Sequence, residues 1–249
     1  MAGFFYNLGR SVRAGVQKGK WIFQSLTGSD EDSIAAEYDA GVELAKEFEK
    51  EAKIDRDDAV AALLDEITTA LAACVKNKQR KFTIKALLLP EPNALAMPGG
   101  FIYITRPLIE LCADPASNSL RDELAFILGH EMGHVVRGHA MQRMVNSTLV
   151  NTATRAVPIG GPVGRMVLNA GTQALSAAYS QDHEFEADAF GLRLARAAGF
   201  DEHAAILMMK RLQQLGGEHP EDSLGSYFAS HPPFTARIRE LKKLMKHRK

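Results

Sequence analysis

Two histidines in the sequence have the spacing that one metal ion needs. His130 and His134 stand four residues apart in the segment His-Glu-Met-Gly-His, inside a stretch that predicts a helix from about Leu120 to Val145. Residues four apart lie on one face of a helix, so both imidazoles can bind the same Zn²⁺ ion. Glu131, beside the first histidine, can then act as a general base. The segment therefore predicts a zinc centre that activates water.

A catalytic zinc needs a third protein ligand and an open position for water. In one group of proteins with this motif the helix breaks at a glycine and a third histidine follows three residues later. Arg137 and Ala140 occupy those two positions here, and His139 is one residue off. The third ligand must come from elsewhere. The best candidate is Glu184, which shares one face of a second predicted helix with Asp188.

Small residues indicate how the two helices meet. Gly129 and Gly133 are four residues apart on the first helix. The face that carries Glu184 is flanked by small or polar residues, namely Ala177, Gln181, Gly191 and Ala195. Glycine inside a helix costs roughly 1 kcal/mol relative to alanine, which suggests that close packing requires it. We expect the two helices to pack together and to assemble His130, His134 and Glu184 into one site with one Zn²⁺ per chain.

The order of these segments resembles a known family. The letters H-E-M-G-H, followed some fifty residues later by E-F-E-A-D, resemble the gluzincin family of the heat-shock protease HtpX and the CAAX prenyl endopeptidase. The chain is most similar to the soluble and peripheral bacterial members and to the catalytic domain of the mitochondrial inner-membrane stress protease. Further matches lie at residues 93–104, 130–139, 230–233 and 237–238. Met97 and Gln181 depart from the pattern.

The resemblance implies an α+β, zincin-like fold that is mostly helical, with a small mixed sheet and an active-site helix carrying H-E-x-x-H. It implies a zinc-dependent endopeptidase that acts on proteins or peptides in protein quality control. Asp188 would orient a ligand histidine. His231 would either donate to the oxyanion or bind zinc at rest, and a structural role stays open. A structural role is favoured for His139.

The sequence also predicts a surface that could hold the substrate. Residues 98–100 predict a turn, and residues 101–105 are β-branched and aromatic, as in a strand. We expect this strand to be the sheet edge facing the cleft, where an extended peptide could pair with it. The contacting residues would be Gly100, Phe101, Ile102 and Tyr103. An ordinary buried strand is the alternative.

Other elements follow from periodicity and capping signals. Helices are expected from Ser29 or Asp30 to about Lys53, and over the residue ranges 55–78, 107–112, 172–198, 201–215 and 233–246, with a strand over 81–89. Residues 146–171, rich in glycine and proline, predict a flap or a partner site.

The N-terminal segment differs in composition from the rest. Residues 1–28 carry four basic residues and no acid, with an apolar residue every fourth position. This pattern predicts a basic amphipathic arm that either contacts a membrane surface or docks on protein. Residues 29–249 are expected to form a single metallopeptidase domain.

Composition narrows the remaining possibilities. The net charge of zero argues against a nucleic-acid partner, and two cysteines in 249 residues do not form a disulfide framework. The sequence has neither an apolar run long enough to span a bilayer nor a signal peptide. We therefore expect a cytoplasmic protein, possibly membrane-peripheral. A zinc-binding, chaperone-like or autoinhibited module with little proteolysis is the alternative function. Substrate identity and oligomeric state are open.

Overall fold

The computed structural model describes residues 30–113, 119–143, 180–215 and 234–246. The predicted arm (1–28), the segment 146–171 and His231 lie outside the described residues. The described elements are α1 (Asp30–Glu51), α2 (Asp58–Cys74), β1 (Thr83–Leu87), β2 (Ala94–Met97), a 3₁₀ turn (Pro98–Gly100), β3 (Phe101–Thr105), α3 (Arg106–Cys112), α4 (Leu120–Val136), α5 (Gln181–Ala197), α6 (His203–Leu215) and α7 (Phe234–Lys246).

The sheet has three strands in the order β1-β3-β2. β1 runs parallel to β3, with Thr83 opposite Phe101, while β2 runs antiparallel to it, with Ala94 opposite Ile104. The predicted α+β fold, mostly helical with a small mixed sheet, is therefore confirmed.

The expectation that residues 101–105 form a sheet edge is wrong. β3 is the central strand, paired on both sides, so Gly100, Phe101, Ile102 and Tyr103 do not present an open edge. The reason is β2, a strand of only four residues that the sequence analysis did not predict. Prolines at positions 90, 92 and 98 surround it and make the stretch resemble a loop.

Helices cover both faces of the sheet. On one face α1 contributes Phe48, whose ring lies 4.5 Å from that of Tyr103 in β3, centroid to centroid. On the other face Ile102 and Ile104 join the main hydrophobic core together with residues of α2, α3, α4 and α6. No helix among the described residues is both long and apolar enough to cross a membrane.

Helix α4 lies at the centre of the main core. All its residues from Glu123 to Val135 are buried, so this part of the helix has no solvent face. Glu123, a buried acid in its first turn, is paired with Arg211 of α6 over two contacts of 3.0 Å and accepts a hydrogen bond from Ser119. A helix enclosed in this way is a rigid platform for the side chains it carries.

The helix that carries the H-E-M-G-H segment ends sooner than predicted. The sequence predicted one helix to about Val145, but α4 ends at Val136 and Gly138 adopts a φ of 76°. This left-handed conformation favours glycine and turns the chain. Residues 139–143 then form a separate helical segment.

Candidate metal centre

Helix α4 brings both histidines of the motif to one point. His130 and His134 are buried, and their Nε2 atoms lie 3.1 Å apart. Their rings meet edge to face, with centroids 4.7 Å apart. The Nε2 atoms therefore converge while the Nδ1 atoms face outward.

Helix α5 places Glu184 beside them. Its carboxylate oxygens lie 3.3 Å from His134 Nε2 and 3.7 Å from His130 Nε2. A tetrahedral zinc with bonds of 2.0–2.1 Å holds neighbouring ligand atoms about 3.3 Å apart. The distance between the two nitrogens, and the distance from each nitrogen to its nearer Glu184 oxygen, are within a few tenths of an ångström of that spacing, so this group of side chains fits a metal ion. The structure thus brings together the three residues that the sequence analysis selected.

Glycine lets the two helices approach this closely. A Cβ atom added to Gly191 would lie 2.7 Å from the backbone nitrogen of His130. One added to Gly133 would lie 3.1 Å from Cα of Ala187. α4 and α5 therefore touch backbone to backbone, as the small residues predicted, and this proximity puts Glu184 within reach of the histidines.

Two charged residues hold His130, the first histidine of the motif. Asp188 Oδ1 lies 2.9 Å from His130 Nδ1. Arg237 of α7 donates to Asp188 from Nε at 2.8 Å and from a terminal nitrogen at 2.7 Å. A second terminal nitrogen of Arg237 lies 2.7 Å from Glu184 Oε2. One buried guanidinium thus contacts both acids of the centre.

These contacts move the pKa values of the buried groups. Burial alone would raise the pKa of Asp188, but Arg237 and His130 outweigh it and hold that pKa below its ordinary value. Burial alone would lower the pKa of His130, but Asp188 and Glu184 outweigh it and Arg237, so the metal-free imidazole has a raised pKa. Asp188 therefore stays ionised at neutral pH.

No role for Arg237 was predicted from the sequence, where residues 237–238 are only one of the segments that match the family. A signal was present, because Arg237 lies among Phe234, Ile238 and Leu241, the buried positions of an amphipathic helix. A cation on the buried face of such a helix needs an anionic partner.

His134, the second histidine of the motif, has a different neighbour. His139 is buried, and its Nδ1 lies 3.1 Å from His134 Nδ1. Its Nε2 lies 3.5 Å from Glu186 Oε2, and His183 stacks on its ring at 4.1 Å between centroids. Burial, followed by His183, lowers the pKa of His139. Among the described residues, the group of side chains that could hold a metal ion consists of His130, His134 and Glu184, and includes neither His139 nor His183.

In this mostly helical, zincin-like domain, a buried helix presents H-E-x-x-H to a carboxylate from a second helix. This arrangement is typical of metallopeptidases. The comparison with protein families agrees. Residues 58–245 match the model of Peptidase family M48, and the chain belongs to this family. It is therefore a metalloendopeptidase with a metal cofactor, and its substrates are proteins or peptides.

Several curated proteins are similar to this chain. Metalloprotease YcaL of Escherichia coli is 26% identical over 94% of this chain and 88% of its own length. Mitochondrial metalloendopeptidase OMA1 of Schizosaccharomyces pombe is 28% identical over 65% of this chain. Metalloprotease LoiP of Escherichia coli is 29% identical over 65% of this chain and 62% of its own length. The match spans about half the length of the yeast OMA1 (46%).

Proposed function

We propose that this chain is a zinc-dependent endopeptidase in which His130, His134 and Glu184 hold one Zn²⁺ and Glu131 is the general base. The observation that carries the proposal is the convergence of three buried side chains: the two histidine Nε2 atoms lie 3.1 Å apart, and each lies 3.3 or 3.7 Å from one oxygen of Glu184. Two imidazole nitrogens and one carboxylate oxygen form a ligand set that zinc commonly takes in catalytic sites.

Each residue has a defined task in this mechanism. Zinc, when bound, supplies Lewis-acid polarisation of the scissile carbonyl and makes a water more acidic. Glu131 is buried beside the ligand His130 on α4. Its carboxylate accepts the proton of the attacking water and delivers it to the leaving amine. His231 is assigned either to the developing oxyanion or to the resting metal, and this stays a prediction from the sequence.

The substrate is proposed to bind as an extended segment along β2. This strand is paired with β3 on one side and, among the described residues, has no partner strand on the other. It also packs against α4, the helix that carries the histidines. Main-chain pairing at such an edge holds a polypeptide without reading its side chains. The edge at β2 replaces the edge that the sequence analysis assigned to β3.

In the cell we assign the chain to protein quality control, on the basis of its resemblance to the heat-shock protease family. A cytoplasmic or membrane-peripheral location, with membrane contact through residues 1–28, is part of the same proposal. The alternative is a zinc-binding module with little proteolysis. Both functions use the metal, but only the endopeptidase needs Glu131.

The test replaces Glu131 by glutamine, which has nearly the same shape but cannot accept the proton. We expect the variant to bind about one zinc per chain and to melt like the wild type. Hydrolysis of an unfolded protein such as reduced casein should fall by at least about 10²-fold, because general-base catalysis contributes roughly that much or more. Hydrolysis by the wild type should stop with a chelator and return with zinc.

The control is Glu110→Gln, which changes an exposed acid on α3 and should leave hydrolysis unchanged. Near-wild-type turnover by Glu131→Gln would refute the assigned base. A wild type that binds zinc and cleaves no protein would favour the alternative module.

A further inference from the structure

His139 stands next to the metal centre without being a ligand. Gly138 turns the chain at the end of α4, with its N–H donating to the carbonyl of Val135 at 3.0 Å. His139, the next residue, folds back so that its Nδ1 faces Nδ1 of His134 at 3.1 Å. The turn therefore delivers an imidazole to the outer nitrogen of a ligand histidine.

The direction of this hydrogen bond follows from the metal site. His134 points Nε2 at the other two ligands, so a neutral, metal-binding imidazole carries its proton on Nδ1. This Nδ1–H can donate only if His139 Nδ1 accepts. His139 must then be neutral, with its own proton on Nε2. That nitrogen lies 3.5 Å from Glu186 Oε2, which can accept the proton of the second hydrogen bond.

Helix α5 holds the ring of His139 in this orientation. His183 stacks on it with an interplanar angle of 19°, and Glu186 lies one turn further along the same helix. These two residues flank Glu184, the third metal ligand. One helix thus supplies a ligand and also fixes the group that contacts another ligand.

We propose that His139 is a positioning residue for His134, acting through the chain His134 Nδ1–H to His139 Nδ1 and His139 Nε2–H to Glu186. This inference rests on the metal site described under the proposed function and adds to it. The two ligand histidines are held in different ways: an ionised pair, Asp188 and Arg237, holds His130, and a neutral imidazole of fixed tautomer holds His134.

The first test compares two substitutions at His139 that keep different properties. Phenylalanine keeps a ring that can stack on His183 but cannot accept a hydrogen bond. Glutamine loses the ring but keeps an acceptor for His134 Nδ1–H. Loss of such a partner typically costs 10–100-fold in metal affinity. Because the partner is neutral, we expect about a tenfold weaker zinc affinity for His139→Phe, and a smaller loss for His139→Gln.

Zinc affinity is measured by competition with a chromogenic chelator, and the melting temperature of each metal-free variant is measured in parallel. A purely structural role predicts the opposite order, with the ring-keeping His139→Phe nearer the wild type. His203→Phe is the control, because His203 is an exposed histidine on α6, and its zinc affinity should be unchanged. Wild-type zinc affinity in a folded His139→Phe, or equal losses in both variants, would overturn the proposal.

A second measurement uses the wild-type chain and depends on no variant. In zinc-loaded protein labelled with ¹⁵N-histidine, long-range ¹H–¹⁵N spectra report which ring nitrogen carries the proton. We expect His134 protonated on Nδ1 and His139 on Nε2. An imidazolium at His139, or its proton on Nδ1, would refute the chain. Neither measurement uses peptide cleavage, so an inactive protease would not be mistaken for a failed positioning role.

Discussion

The contact of Arg237 with two buried acids leads to a quantitative prediction. Its side chain is 2% exposed, and it lies within 2.8 Å of both Asp188 and Glu184. Replacing Arg237 by methionine keeps much of the side-chain volume but removes the positive charge. In the metal-free protein two carboxylates would then remain buried without the cation that compensates them.

Removing one partner of a buried ion pair costs about 3–5 kcal/mol of the free energy of unfolding. For a chain of this length each kcal/mol lowers the melting temperature by about 2–4 °C. We therefore expect metal-free Arg237→Met to melt roughly 6–20 °C below the metal-free wild type. Bound zinc is a second cation beside Glu184, so the difference should be smaller for the zinc-loaded proteins.

The assay is thermal unfolding followed by circular dichroism, with excess chelator and with saturating zinc. Arg239→Met is the matched control, since Arg239 lies two residues further along α7 with 70% of its side chain exposed. The control should change the melting temperature by no more than a few degrees. Arg237→Lys should fall between the two, because an ammonium keeps the charge but cannot donate in a fork to Asp188.

A double-mutant cycle isolates the contact itself. Combining Arg237→Met with Asp188→Asn removes both charges, so the double variant should lose less stability than the sum of the two single variants, by about 0.5–3 kcal/mol. A metal-free Arg237→Met that melts like Arg239→Met would refute the reasoning. Strict additivity in the cycle would also do so, since it would mean that the two charges do not interact.

Two further predictions follow from the packing and the charges of the centre. Gly191→Ala places a Cβ 2.7 Å from the backbone nitrogen of His130, so we expect a loss of about 1–3 kcal/mol in unfolding experiments and weaker zinc binding; wild-type values for both would contradict the close approach of α4 and α5. Because the pKa of metal-free His130 is raised, a proton competes with zinc at a higher pH than for an ordinary histidine. Zinc affinity, measured by chelator competition between about pH 8 and pH 6, should therefore already fall above the ordinary histidine value of about 6.5, and Asp188→Asn should move this fall to lower pH; a pH-independent affinity would disagree.

The strand order of the sheet could not be predicted from the sequence, because strand pairing is a non-local property. β2 has four residues between prolines, too few to show the alternation by which a strand is recognised. Without β2, the strand at residues 101–105 appeared to have an open side. Only the folded chain reveals that β2 occupies that side and that β3 is central.

The proposed metal ligands could be predicted from the sequence because helical geometry is local. The spacing of His130 and His134 places both rings on one face whatever surrounds the helix. The spacing of Glu184 and Asp188 does the same on α5, and the glycines on the two helices indicated that they would touch. The mostly helical fold could be predicted for a similar reason, since helix periodicity and capping are read within single segments.

Only the tertiary structure shows which neighbouring residues hold those side chains in place. Arg237 reaches Asp188 across 49 positions of the chain, and the contact depends on how α7 rotates and packs against α5. His139 meets His134 only because Gly138 takes a left-handed conformation and α5 covers the turn. The sequence thus determined which side chains could bind the metal, since their spacing is a property of one helix. The packing of distant helices determined which neighbours orient them, since those contacts have no local pattern.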